Sequence, residues 1–158
     1  MEEIQMLKFL NTMVVFEEIP DKISLAVNMT NCQNKCVGCH SPQLRKDIGK
    51  ELTEEVVDEL IKENEGINCF LFMGEGNDKD SLIKMARYIK EKYASLSLAI
   101  YSGRDNVEDD FYELFDYVKI GPYIAKFGPL NKDTTNQRLL KIEDGARKDI
   151  TSMFWKKF

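Results

Sequence analysis

The chain has 158 residues, which by length is one domain with room for one good core. Apolar residues make up 43% and charged residues 31%, the balance of an ordinary soluble globular protein. A formal charge of −5 without a basic footprint argues against non-specific nucleic-acid binding, and no apolar run approaches the roughly 18 residues of a membrane span.

The opening Met1-Glu2-Glu3-Ile4 is acidic and lacks the basic and apolar regions of a signal peptide, so a cytoplasmic protein with reduced thiols is expected. Within 5–20, Met13-Val14-Val15-Phe16 is a short β-like run suited to an edge strand. Residues 23–29 alternate, with Ile23, Leu25, Val27 and Met29 on one side, and predict a strand. That strand runs straight into Cys32, Cys36 and Cys39, spaced C-x3-C-x2-C. Three thiols packed this tightly cannot all form local disulfides, and a metal is the natural reading. They can hold three corners of an iron–sulfur cube and leave one iron open, unlike ferredoxin runs that supply four cysteines. Two other readings stay open here. Cys36-Val37-Gly38-Cys39-His40 formally matches a C-x-x-C-H haem attachment site, and Cys32, Cys36, Cys39 and His40 together count as zinc ligands. Adjacent Cys39 and His40 are awkward for one tetrahedral ion, and haem leaves Cys32 unexplained.

Thr53 is an N-cap for a helix that opens on Glu54 and Glu55, presents Val56, Val57, Leu60 and Ile61, and ends at Gly66. Residues 67–73 are a near-continuous apolar run, as in a parallel strand covered on both faces, and Cys69 within it reads as a core thiol. Cap candidates at 77–80 precede a helix with Leu82, Met85, Ile89 and Tyr93 inward. A strand at 96–101, a short helix at 107–115 and a strand at 117–120 follow. Asp144-Gly145 then marks a hairpin between 138–142 and 146–150. The rhythm implies βαβ units and a parallel sheet, too short for an eightfold barrel. The expected fold is α/β, a partial (β/α) barrel or open curved parallel sheet of roughly four to six strands with a C-terminal hairpin. The whole chain, 1–158, is then one domain, with a βα core at 21–122 and a C-terminal extension at 123–158.

Ligands in such sheets gather at the carboxyl ends of the strands. The first end carries the cysteines, and the second carries Gly74-Glu75-Gly76. There two glycines admit a ligand to the backbone and an acid suits an ammonium. Asp78 is the competing acid. The third end carries Tyr101-Ser102-Gly103, with hydroxyl and backbone groups for a ribose or carboxylate, and the fourth carries Gly121-Pro122. Taken alone, each also reads as a plain strand-end turn, and 128–138 as a polar loop.

The C-x3-C-x2-C loop resembles the cluster motif of radical S-adenosylmethionine (SAM) enzymes. With Gly38-Cys39-His40-Ser41-Pro42, Gly121-Pro122-Tyr123 and Thr135-Asn136-Gln137-Arg138 in the same order, the chain resembles the activating proteins of anaerobic ribonucleoside-triphosphate reductase. It departs from them where the Gly-Gly-Glu-type motif is split by Glu75, and from the general radical SAM motif where Gly38 stands in place of an aromatic residue. The resemblance implies a radical SAM-like fold and a [4Fe–4S] cluster on Cys32, Cys36 and Cys39. It implies S-adenosyl-L-methionine as cofactor, held by Gly38, Cys39, His40, Gly74, Glu75, Gly76 and Ser102, with the Gly38–His40 backbone against adenine. A flavodoxin-like donor supplies one electron, SAM is cleaved, and the resulting radical takes hydrogen from a glycine of the reductase large subunit. The cofactor carries that chemistry, so no acid–base pair is expected. Neither a nucleic acid nor a membrane is an expected partner. The alternatives are the same chemistry on another glycyl-radical enzyme or a small molecule, and a non-enzymatic zinc-binding interaction module.

Overall fold

The computed structural model describes residues 7–30, 49–76 and 78–155. In chain order the elements are β1 (Lys8–Val15), β2 (Ser24–Met29), β3 (Lys50–Glu51), α1 (Glu54–Glu63), β4 (Cys69–Met73), α2 (Lys79–Lys92), β5 (Ser97–Tyr101), α3 (Asp109–Leu114), β6 (Tyr117–Ile120), β7 (Arg138–Glu143) and β8 (Ala146–Asp149). A 3-10 turn, Thr151–Trp155, follows β8. All eight strands lie in one sheet, ordered β3-β1-β2-β4-β5-β6-β7-β8. The central four, β2, β4, β5 and β6, are parallel, and the flanking pairings are antiparallel.

The sheet is wider than the four to six strands expected from the sequence. β3, of two residues, is a strand the sequence did not announce, whereas β8, every residue of it exposed, is the second arm of the expected hairpin. β1 is a further difference. It pairs with both β2 and β3, so it is not an edge strand along its whole length.

Alternation splits the core between the two faces. Leu25, Val27 and Met29 of β2 join Phe70, Phe72, Leu98, Ile100 and Val118 under the helices. Phe70 and Phe72 are fully buried there, each contributing roughly 2–3 kcal/mol by burial. The opposite face carries Ala26, Cys69, Leu71, Ala99 and Tyr117, covered by Ile19 from the loop after β1 and by Ile150 and Met153 from the C-terminal end. Both faces of the central strands are therefore dry, which is why 69–73 is apolar throughout.

Local signals set the helix starts. Thr53 Oγ1 accepts from the Val56 N–H at 3.1 Å, capping α1 as expected. Asp78 caps α2, accepting from the Asp80 N–H and the Ser81 hydroxyl. Helix α1 stops at Glu63 with Asn64 as its C-cap, before Gly66. The hairpin turns on Asp144 and Gly145, both at positive φ.

Candidate functional site

The carboxyl ends of β2, β4, β5 and β6 lie side by side, because Asn28 pairs with Met73, Met73 with Tyr101 and Tyr101 with Lys119. Cys32, Cys36, Gly38, Cys39 and His40 lie outside the described residues. Both ends of the chain that carries them are fixed. Thr30 donates its N–H to the Lys8 carbonyl at 2.9 Å, and Lys50, next to Gly49, pairs with Phe9. Phe9 is in turn opposite Met29. The segment therefore leaves and rejoins the fold beside the carboxyl end of β2. The glycine turn adjoins the end of β2: a Cβ on Gly74 would stand 3.6 Å from Met29 Cβ, and one on Gly76 would stand 3.6 Å from Met29 Cε.

The fourth cysteine is elsewhere. Cys69 pairs in register with Ser24, at the opposite end of the strands, about 20 Å along β2 from Thr30. Its side chain is fully buried, and burial raises its pKa to about 11. Cys32 follows Thr30 by two residues and is bound within about 7 Å of it by chain length alone. One cluster cannot take both Cys32 and Cys69. Among the described residues, no group of three or more His, Cys, Asp or Glu is placed to hold a metal. Cys69 therefore belongs to the core, at the far end of the strands from the point where the chain enters the cysteine segment.

At the next strand end, Glu75 and Ser102 come together as expected, but bound to each other. The Ser102 hydroxyl donates to Glu75 Oε2 at 2.6 Å. Arg104 adds a two-pronged grip, with Nε donating to Oε2 at 2.9 Å and Nη2 to Oε1 at 2.5 Å. The same guanidinium holds both oxygens of Glu108, at 2.7 and 2.8 Å, and lies over the Phe111 ring. Glu108 and Glu75 raise the Arg104 pKa, and Arg104 lowers that of Glu108 to about 2. Arg104, which the sequence reading did not single out, organises this corner. Asp78, the competing acid, is committed to capping α2.

The fourth end is built around Lys119. It is 6% exposed, and its ammonium donates to the carbonyls of Ser102 at 3.0 Å and Gly121 at 2.8 Å. A lysine inside a buried strand was a legible signal, since lysine is almost never fully buried without partners. The segment read as a polar loop closes on the same strand end: Gln137 Nε2 donates to the Gly121 carbonyl and Asn136 Nδ2 to that of Pro122. A cavity of about 600 Å³ opens there, between Tyr101, Lys119, Tyr123, Gln137, Phe154 and the loop residue Glu18. Tyr101 donates its hydroxyl to the Glu18 carbonyl.

No described helix is long and apolar enough to cross a membrane. Neither the curated proteins nor the solved structures contain a significant match to the chain. The family model described as a 4Fe-4S single cluster domain matches residues 23–140, from the start of β2 into β7. That span exceeds half of the chain and contains the three thiols and all four strand ends. The chain belongs to the 4Fe-4S single cluster domain family and is an iron–sulfur protein.

Proposed function

We propose that this iron–sulfur protein is a radical SAM activase whose substrate is a glycine of the anaerobic ribonucleoside-triphosphate reductase. The observation that supports the reading is that the chain enters its cysteine-rich stretch from the carboxyl end of β2, whose Met29 adjoins Gly74 and Gly76, while Cys69 lies at the opposite end of the strands. A vacant corner next to a glycine-lined strand end suits a ligand that chelates iron. When bound, the cluster and SAM supply one-electron cleavage of the sulfonium and, with it, a 5′-deoxyadenosyl radical.

The chain's own part is binding and orientation. Cys32, Cys36 and Cys39 hold the cluster. Gly74 and Gly76, at positive φ, turn the backbone at the end of β4 with no side chain in the way. Glu75 offers an ammonium a carboxylate whose direction is set by Ser102 and Arg104. Ile19, Tyr101 and the C-terminal turn keep water from the sheet face below. The order of the motifs along the chain supports the reductase as partner, with a flavodoxin-like protein as electron donor.

The test is anaerobic reconstitution followed by iron and sulfide analysis, then reduction with SAM present, with and without an anaerobic ribonucleotide reductase. The expected results are four irons per chain, 5′-deoxyadenosine, and a glycyl-radical doublet in electron paramagnetic resonance on the reductase. Colourless protein holding one zinc would overturn the reading. 5′-Deoxyadenosine with no protein radical would keep the chemistry and remove the reductase as substrate.

A further inference from the structure

We infer that Gln137 recognises the main chain of a polypeptide lying in the 600 Å³ cavity, its side-chain oxygen accepting a hydrogen bond from a backbone N–H of that chain. The polypeptide is the protein substrate of the activase reading, on which the inference rests for the occupant's identity.

Gln137 stands where the chain enters β7, 6% exposed, with its own N–H bonded to Thr135 Oγ1 at 3.0 Å. Its side-chain nitrogen donates to the Gly121 carbonyl at 3.3 Å. A carbonyl only accepts, so the nitrogen must be the atom turned toward it, and Oε1 is the atom turned away. That oxygen accepts no hydrogen bond among the described residues. It is not sealed from solvent either, as the neighbouring Asn136 Oδ1 is, and the surface it keeps opens on the cavity that Gln137 lines. An amide acceptor withdrawn this far from water is costly to leave unmet, so it selects a ligand that brings a donor. The surroundings suit a chain better than a compact molecule. Tyr101, Tyr123, Pro129, Leu130 and Phe154 make the lining largely apolar. Exposed apolar side chains stand next in sequence to lining residues, Phe16 beside Glu17 and Ile124 beside Tyr123. A second depression of about 280 Å³, lined by residues 14–18, shares Glu17 and Glu18 with the cavity. The concave surface is thereby elongated toward the end of β1. An extended peptide presents alternate side chains to such a surface, and backbone N–H groups between them.

The probe is a blocked heptapeptide with a central glycine and alanine and valine flanks, alongside versions with one backbone amide at a time replaced by an ester, which removes an N–H without adding bulk. Binding to the full-length reconstituted protein is read from the fluorescence of Trp155, the chain's one tryptophan, whose Nε1 donates to the Leu130 carbonyl at the cavity wall. Replacement at one position should weaken binding to the wild type roughly tenfold, the scale of a buried acceptor left unmet. Gln137→Met should lose that penalty, and Gln137→Glu, which keeps an acceptor oxygen, should retain it. In Gln137→Met the Gly121 carbonyl still accepts from the Lys119 ammonium at 2.8 Å, so the melting temperature should stay near that of the wild type, which separates lost recognition from lost folding. A wild type that binds no peptide, or that tolerates every single replacement, would overturn the assignment. So would a penalty that persists in Gln137→Met, or a KM for SAM in reductive cleavage that rises in that variant. SAM cleavage without peptide discrimination would remove the peptide site and leave the activase reading standing; peptide discrimination without SAM cleavage would do the reverse.

Discussion

Arg104→Met, Glu75→Gln and their combination test whether the strand-end carboxylate is held as a unit. Glu75 is 11% exposed at its side chain and Arg104 33%, so one partner is buried and the other is reached by water. At an effective dielectric of about 20, two charges about 4 Å apart attract by roughly 4 kcal/mol, before desolvation takes its share. Losing the arginine leaves a buried carboxylate supported by the Ser102 hydroxyl, a change that costs about 3–5 kcal/mol when burial is complete. With Arg104 a third exposed, water partly replaces it, and about 2–3 kcal/mol is expected. Glu75→Gln keeps a hydrogen-bonding side chain beside Ser102, and Arg104 keeps Glu108, so about 1 kcal/mol is expected. The double variant then loses less than the sum, with a coupling of about 1–2 kcal/mol. Urea unfolding followed by far-ultraviolet circular dichroism measures all four proteins, provided m is unchanged. Additivity within about 0.5 kcal/mol would refute the account of Glu75 as held by Arg104.

Three further outcomes follow from other parts of the fold. Tyr93, Lys92 and Tyr88 bind Asp58 and lower its pKa from 3.8 to about 2, tying α2 to α1. Because the folded value lies below the unfolded one, that contribution is full above about pH 4 and drains away toward pH 2. The melting-temperature advantage of wild type over Asp58→Asn should shrink across that window, and an advantage independent of pH would contradict it. Gly121 has φ +96°, and a Cβ there would stand 3.0 Å from Gln137 Cα and 3.2 Å from the Asn136 carbonyl oxygen; Gly66, at φ +95°, has open space. Gly66→Ala should therefore cost about 1–2 kcal/mol of backbone strain and Gly121→Ala clearly more, measured by urea midpoints. Equal costs would mean that β6 and β7 separate freely at that point. Cys69→Ala should keep its full iron and sulfide content while losing about 1–2 kcal/mol of stability, whereas Cys36→Ala loses the cluster. A fall in iron in Cys69→Ala would show that the strand-register argument is wrong.

The sequence was most legible where one residue type had one job. Thr53 at the start of α1, Asp144-Gly145 in the hairpin and the apolar run at 69–73 each announced a local structure that needs no knowledge of the rest of the chain. It was least legible where strands are stabilised from a distance. Nothing in Lys50-Glu51 marks a strand, and the two residues become one because β1 offers them an edge. The site divides in the same way. Glu75 and Ser102 stood out through their glycine neighbours, but their mutual hydrogen bond joins residues 27 apart. Arg104 reaches Glu75 across a strand, and Glu18 enters the cavity from a loop 83 residues away from Tyr101 in sequence. Charge pairs and cavity walls are made by topology, and single-sequence periodicity carries no record of them.

Ser102 shows why a residue at a ligand-rich strand end need not touch the ligand. Its N–H donates to the Lys119 carbonyl, and its own carbonyl accepts from the Lys119 ammonium. Its hydroxyl donates to Glu75 and accepts from the Arg104 N–H at 3.1 Å. At 1% exposure, every polar group it owns is already engaged, so a ligand hydroxyl would have to displace one of these bonds. What the residue does instead is join two polar clusters. One, Glu75-Arg104-Glu108, leans on α3 through Phe111; the other, Lys119-Tyr101-Glu18, faces the cavity. A serine is suited to this joint because its one hydroxyl both donates and accepts. The carboxylate at the end of β4 and the ammonium beside the cavity are thereby fixed to one residue, and the rim of the sheet holds these charges in a single arrangement.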